Sequence, residues 1–231
     1  MQTTAEKALR SGAHALLACA TAACSDATVP TARAWPAGTV LALNDDAILE
    51  SEVDAIGSLV ARVEPQDALP QLRRVALTNV ILARCAARHV AGEERAQAWT
   101  LAHEFKAALD AGTQPPAALA GPAIETLQGG FGAMGLEVWS WALDAEPGRW
   151  SDPIEVVGGW RLARVDQRSA GAIPTDVRLA VSSYFFAYVR GGDPRQQIEA
   201  ELDRSKLVFV DPRWRDVVPT LWQHRLHGTA P

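Results

Sequence analysis

Few side chains in this sequence stand in a pattern that makes or breaks covalent bonds. His224 and His227 are three apart, a spacing that sets two imidazoles on one helix face as metal ligands, but no third ligand lies near them. No metal and no cofactor is therefore expected. Cys19, Cys24 and Cys85 are odd in number and form no CxxC pair, which argues against a zinc or dithiol site. Cys85 lies inside a helical stretch and reads as a small buried residue. The glycine-rich GGFGAMG at 129–135 lacks the Lys-Ser/Thr of a phosphate-binding loop, and no strand is expected before it. GxSxG and HExxH are absent; His103-Glu104 lies inside a helical pattern, on its rim. His89 falls at a helix C-terminus, where the helix dipole favours an imidazole.

What remains is suited to gripping apolar chain. Trp139, Trp141, Trp150 and Trp160 are four of the eight tryptophans and cluster between Phe131 and Arg168. Trp139 and Trp141 are two apart on one helix and cannot face the same side of a turn. One of them is expected to face a groove or a partner, a place that suits an amphipathic ring.

The elements that must position these residues follow from pattern. Val40–Leu43 is a short strand, Asn44-Asp45-Asp46 a turn, and Val53, Ile56, Leu59 and Val60 mark an amphipathic helix begun by Ser51 and Asp54 as a capping box. A longer helix is predicted from Pro70 to His89, stopped by Gly92. The next covers Glu93–Ala111, with Trp99, Ala102, Phe105 and Leu109 on one stripe. A proline-rich loop fills 112–123. A helix over Glu137–Leu143 ends at Pro147-Gly148; Pro153 opens a strand, Gly158-Gly159 turns it, and Trp160–Val165 returns. Residues 177–189 are β-branched and aromatic and read as a strand. Asp193 then caps a helix over 194–204 with Pro194 at its first position. Lys206–Val210 is a last strand, and the tail packs its Trp214 and Trp222 on the body.

With 231 residues, 48% hydrophobic composition and a net charge of −5, the chain can bury a sizeable core. No basic face exists to hold nucleic acid. No run approaches the ~20 consecutive apolar residues that span a bilayer. Residues 1–24 carry Lys7 and Arg10 and then an apolar small-residue run, with Leu16–Cys19 and Thr21–Cys24 each approximating a lipoprotein cleavage box. Two readings stand: export to a periplasmic or lipid-anchored location at Cys19 or Cys24, or an ordinary alanine-rich helix in a cytoplasmic protein. Residues 25–39 read as a linker.

Two stretches resemble a known family. Val40–Asp54, VLALNDDAILESEVD, is similar to the opening of SurA-type chaperones. Gly132-Ala133-Met134, the 137–143 helix, Pro147-Gly148, Ser151-Asp152-Pro153-Ile154 and Gly159-Trp160-Arg161-Leu162 resemble, in order, the closing half of a parvulin-type prolyl isomerase domain. Together they cover about a third of the chain. The resemblance implies an α+β protein: a helical SurA-like chaperone part over 40–92 plus 191–231, and over 93–190 a small parvulin-like antiparallel sheet with flanking helices. It also implies that the last strand pairs with Val40–Leu43. Met134 matches the family's methionine, Val138 replaces a phenylalanine, and Arg161 replaces a last-strand histidine. Only Val90-Ala91-Gly92 separates two helices where a first, histidine-bearing strand is expected. The 177–189 strand either supplies that strand in a rewired order or is added at the sheet edge. The implied function is a folding factor that binds unfolded or proline-containing polypeptide with weak or absent isomerase activity, with substrate at Met134, Val138, Trp160 and Arg161. An active isomerase with Met134, Val138 and Trp160 around the proline, and an assembly protein for one dedicated partner, are the alternatives.

Overall fold

The computed structural model describes residues 34–113 and 122–225. The leader-like segment with Cys19 and Cys24, most of the linker, much of the 112–123 loop and His227 lie outside them. The described protein is a mixed α+β fold with two small antiparallel sheets and several helices.

The first sheet has the order β2 (Asp46–Leu49), β1 (Thr39–Leu43), β7 (Leu207–Phe209). β1 is central and every residue of it is buried, which explains its unbroken apolar run. The β1–β7 pairing is antiparallel, with Leu41 opposite Phe209 and Leu43 opposite Leu207. Asn44 makes the β1–β2 turn at φ 54°, a conformation asparagine tolerates better than most residues. Its amide also ties this turn to the segment leading into β7: Oδ1 accepts from Lys206 N at 2.8 Å and Nδ2 donates to Ser205 Oγ at 3.1 Å.

Helix α1 (Glu50–Val60) starts at Leu49 with no side-chain cap. The expected Ser51–Asp54 box does not form, because Ser51 is already inside the helix rather than at its cap; Asp54 accepts a two-pronged pair from Arg73, at 2.7 and 2.9 Å. The helix predicted over 70–89 is α2 (Leu69–Ala76) and α3 (Leu82–Ala91) joined through a π-helical turn, Leu77–Ile81. Such turns insert a residue into the helix and recur at functional sites. Gly92 ends α3 at φ 52°. Helix α4 (Glu94–Asp110) buries Ala98, Ala102 and Phe105. Trp99 does not belong to that stripe: it is 46% exposed, its ring 3.7 Å from that of His103.

The second sheet has the order β3 (Glu125–Gly129), β6 (Leu179–Ala187), β5 (Gly159–Arg168), β4 (Ile154–Val156), all antiparallel neighbours. β3 was not expected, and GGFGAMG therefore does follow a strand. β6 pairs with β5 along its whole length and with β3 on its other side, so it is an interior strand and not an added edge. Gly159 in the β4–β5 hairpin is dictated by close approach: a Cβ there would lie 2.2 Å from the Phe185 ring and 2.8 Å from the Phe186 carbonyl.

Alternation along β5 builds two cores. Trp160 and Leu162 join the larger core with Phe105 of α4, whose ring meets Tyr184 and Phe186 at 4.8 and 5.4 Å. Ala163 and Val165 join a second core under α6 (Leu136–Asp144), which follows the short α5 (Phe131–Met134). The larger core runs from Val40 through Cys85 and Tyr188 to Leu202 of α7 (Pro194–Arg204) and Trp214. The expected boundaries at 92/93 and 190/191 do not divide it. Residues from Trp35 onward form one unit. Asp193 caps α7 as read from sequence, accepting from Arg195 N. Helix α8 (Thr220–Arg225) follows, with Trp222 packed against the larger core. Among the described residues no helix is long and apolar enough to cross a membrane.

Candidate functional site

A groove of about 540 Å³ opens between the helices and the second sheet. Its helical wall carries Val60 and Val63 after α1, Val75 of α2, and Asn79 and Val80 of the π-helical turn. Its other wall carries Phe131, Met134 and Leu136, and Val156, Val157 and Arg161 close it from the β4–β5 hairpin. Phe131 and Val157 are 39% and 37% exposed at the rim, which leaves them available to a ligand. Among the described residues, three ionisable ones line it: Glu64, Glu137 and Arg161.

Arg161 is held from three sides. Its Nη1 donates to Glu125 Oε2 of β3 at 2.8 Å and to Ser183 Oγ of β6 at 3.0 Å. Its guanidinium lies over the Phe185 ring, 4.6 Å from the centroid. The registers explain this: Arg161 is opposite Phe185 and Glu125 opposite Ser183, so one face of three neighbouring strands supplies all four groups.

A charge network ties the groove walls together. Glu137 of α6 accepts from Arg84 Nη2 of α3 at 2.5 Å, both side chains nearly buried, and Arg84 also donates to the Glu155 carbonyl at 3.2 Å. That carbonyl belongs to the sheet's edge strand β4, which Arg84 thereby blocks from pairing with another chain. The Glu155 carboxylate takes Arg88 at 2.6 and 3.0 Å and Arg95 at 3.0 Å, and Arg88 reaches Glu52 at 3.2 Å. Burial pushes the Glu155 carboxyl up, but its bonds and charges with Arg88 and Arg95 outweigh burial and hold it below the usual range. Burial likewise disfavours charge on Arg88, and Glu155 and Glu52 more than restore it. Cys85, beside this network, is pushed up to about 12 chiefly by burial.

The four sequence-predicted residues do not form one pocket. Met134 and Arg161 line the groove. Val138 is fully buried beneath it in the second core and touches no ligand space. Trp160 lies on the opposite face of β5 in the larger core, under Arg95, which is 5.5 Å from its ring centroid. Trp160 cannot share a proline pocket with Met134, because adjacent strand residues point to opposite faces. Of the tryptophan pair, Trp139 is wholly buried and Trp141 is the partly exposed one. His89 is a surface residue with Nε2 3.5 Å from Glu201. Glu125 and Ser183 were missed, since nothing local marks them; only the β3–β6–β5 register brings them to Arg161.

The fold and groove define the class: an α+β protein with an open, largely apolar cleft and one anchored guanidinium. Comparison with protein-family models, curated proteins and solved structures finds no match.

Proposed function

We propose that the protein is a SurA-type, parvulin-like folding factor that holds unfolded or proline-containing polypeptide in this groove, with weak or absent prolyl isomerase activity. One observation carries the reading: an open apolar cleft stands at Met134 and Arg161, where the resemblance sets a proline pocket. The interior position of β6, followed by α7, supports the rewired order in which a strand–helix pair moves from the start of the domain to its end. Weak turnover is proposed because no histidine, cysteine or aspartate is among the described residues that line the cleft, and Glu137 and Arg161 are engaged in ion pairs. Desolvation then has to carry much of the lowering of a barrier of ~20 kcal/mol. Export, with Cys19 or Cys24 as lipid anchor, belongs to the same proposal; labelling with a radioactive fatty acid tests it.

The groove is tested with Phe131→Ser and Val157→Asp, both at exposed rim positions. Wild type should suppress aggregation of a denatured client, and the folded variants should lose most of that effect. Equal suppression by variants and wild type would overturn the groove assignment. Prolyl turnover on a model peptide that falls in Met134→Ala would make the protein an active isomerase instead.

A further inference from the structure

We infer, on the reading of the groove as a polypeptide site, that Arg161 recognises a backbone carbonyl of the bound segment, and that Glu125 and Ser183 position it and keep it selective for neutral acceptors. A guanidinium is a fork of five donors with no acceptor. Only Nη1 of Arg161 bonds to protein, to Glu125 and Ser183, among the described residues. Its Nε and Nη2 hydrogens remain for an acceptor, and Arg161 is one of the residues lining the cleft. Its side chain is 19% exposed, so a ligand reaches it without displacing the fold.

The anchoring decides what that acceptor is. The Phe185 face and the Ser183 hydroxyl hold the guanidinium plane, which lowers the ordering cost when a ligand binds. Glu125 cancels its charge at 2.8 Å. An unpaired arginine in an apolar cleft would favour a carboxylate; a paired one offers strong donors without net charge. The neighbouring carboxylate also repels a second anion. An extended peptide, which presents a carbonyl at every residue, matches such a site, and a segment with an acidic side chain at that point does not. Glu137, beside Leu136 on the α6 side of the cleft, is paired with Arg84 in the same way, so neither charge of that pair is free to draw an ionic ligand.

The test uses two labelled peptides of one apolar extended sequence, one neutral and one with a central aspartate, and a non-peptide hydrophobic dye. In wild type the neutral peptide should bind about tenfold more tightly than the acidic one. Arg161→Gln should weaken the neutral peptide about tenfold, a typical loss for one charge-assisted hydrogen bond, and leave the dye unchanged. Arg161→Lys should recover only part of that loss, because ammonium lacks the fork. Glu125→Gln should reverse the preference toward the acidic peptide, an effect that mere loss of structure does not produce. Circular dichroism and unfolding of each variant exclude misfolding. If neither peptide binds wild type, the polypeptide reading of the groove fails. If peptides bind, but Arg161→Gln leaves them unaffected or Glu125→Gln leaves the preference unchanged, the role of Arg161 fails and the groove reading stands.

Discussion

The Arg84–Glu137 pair should behave as a coupled unit whose halves are each indispensable and whose joint removal is tolerated. The two side chains are 7% and 12% exposed, and the bond between them is 2.5 Å. Arg84 Nε has no hydrogen-bond partner among the described residues, so the pair carries an uncompensated desolvation cost. Arg84→Met fills similar volume but strands the Glu137 carboxylate in a nearly dry site. Breaking one side of a buried pair costs about 3–5 kcal/mol. Glu137 borders the open groove, where water reaches part of it, so the lower end, about 3 kcal/mol, is expected. In a protein of this size that lowers Tm by about 6–12 °C. Glu137→Leu should cost a similar amount by stranding Arg84, partly offset by the bond Arg84 keeps to the Glu155 carbonyl. The double variant should return to within about 1 kcal/mol of wild type, since apolar replacements of whole buried pairs are often neutral. Urea unfolding of the four proteins closes the cycle, with equal m-values as the check that only the folded state changed. Additive single costs, or singles each below about 1 kcal/mol, would refute the pair as the tie between α3 and the groove wall.

Three further outcomes are expected. Glu155 has its carboxyl held below the usual range, so its contribution is complete above the ordinary carboxylate pKa and is lost as pH falls through its lower folded value; Glu155→Gln should be less stable at pH 7 and show a flatter loss of stability on acidification. Cys85, 1% exposed and protonated up to about pH 12, should resist a thiol reagent at pH 8 in a Cys19→Ser/Cys24→Ser background and react fully once urea unfolds the chain. Gly159→Ala should cost more than about 2 kcal/mol, because backbone at the Phe186 carbonyl cannot move aside as a side chain can; a thermal midpoint within about 2 °C of wild type would count against that contact.

Much of the fold is legible because local signals agree with it. The Val40–Leu43 run and the helical spacing of Val53, Ile56 and Val60 each name one structure that forms, and the expected hairpin forms with its turn one residue earlier, at Val157-Gly158, because Gly159 already pairs with Val156. Asp193-Pro194 marks a helix start for the same reason. The misreadings are tertiary. β3 is largely exposed and polar, Glu-Thr-Leu-Gln-Gly, and owes its existence to pairing with β6 rather than to propensity. Helix α1 begins at Glu50, so Ser51 is inside it and the local cap is not made, and Asp54 serves Arg73 of α2. Trp99 fits a helical stripe, but Ala98 one residue earlier is the position that α4 turns inward against the closely approaching sheet. Trp160 fails as a groove residue through parity alone: it neighbours Arg161 in sequence and is therefore on the other face.

The same parity makes Arg161 and Met134 the better guide to function than the tryptophans. Trp139 and Trp214 are core residues, Trp214 packing on the body as expected, and Trp160, expected in the pocket with Met134, is in the larger core as well. The groove is lined by aliphatic side chains, Met134 and Phe131 around one anchored cation, and its two walls are joined by Arg84–Glu137 and by Arg62, which donates to the Ser140 carbonyl at 2.9 Å and to Asp144 at 2.6 Å. A cleft fixed in this way is preformed, so a ligand need not order its walls. Under the proposed function, the ordering cost would fall on the polypeptide that becomes extended in the cleft.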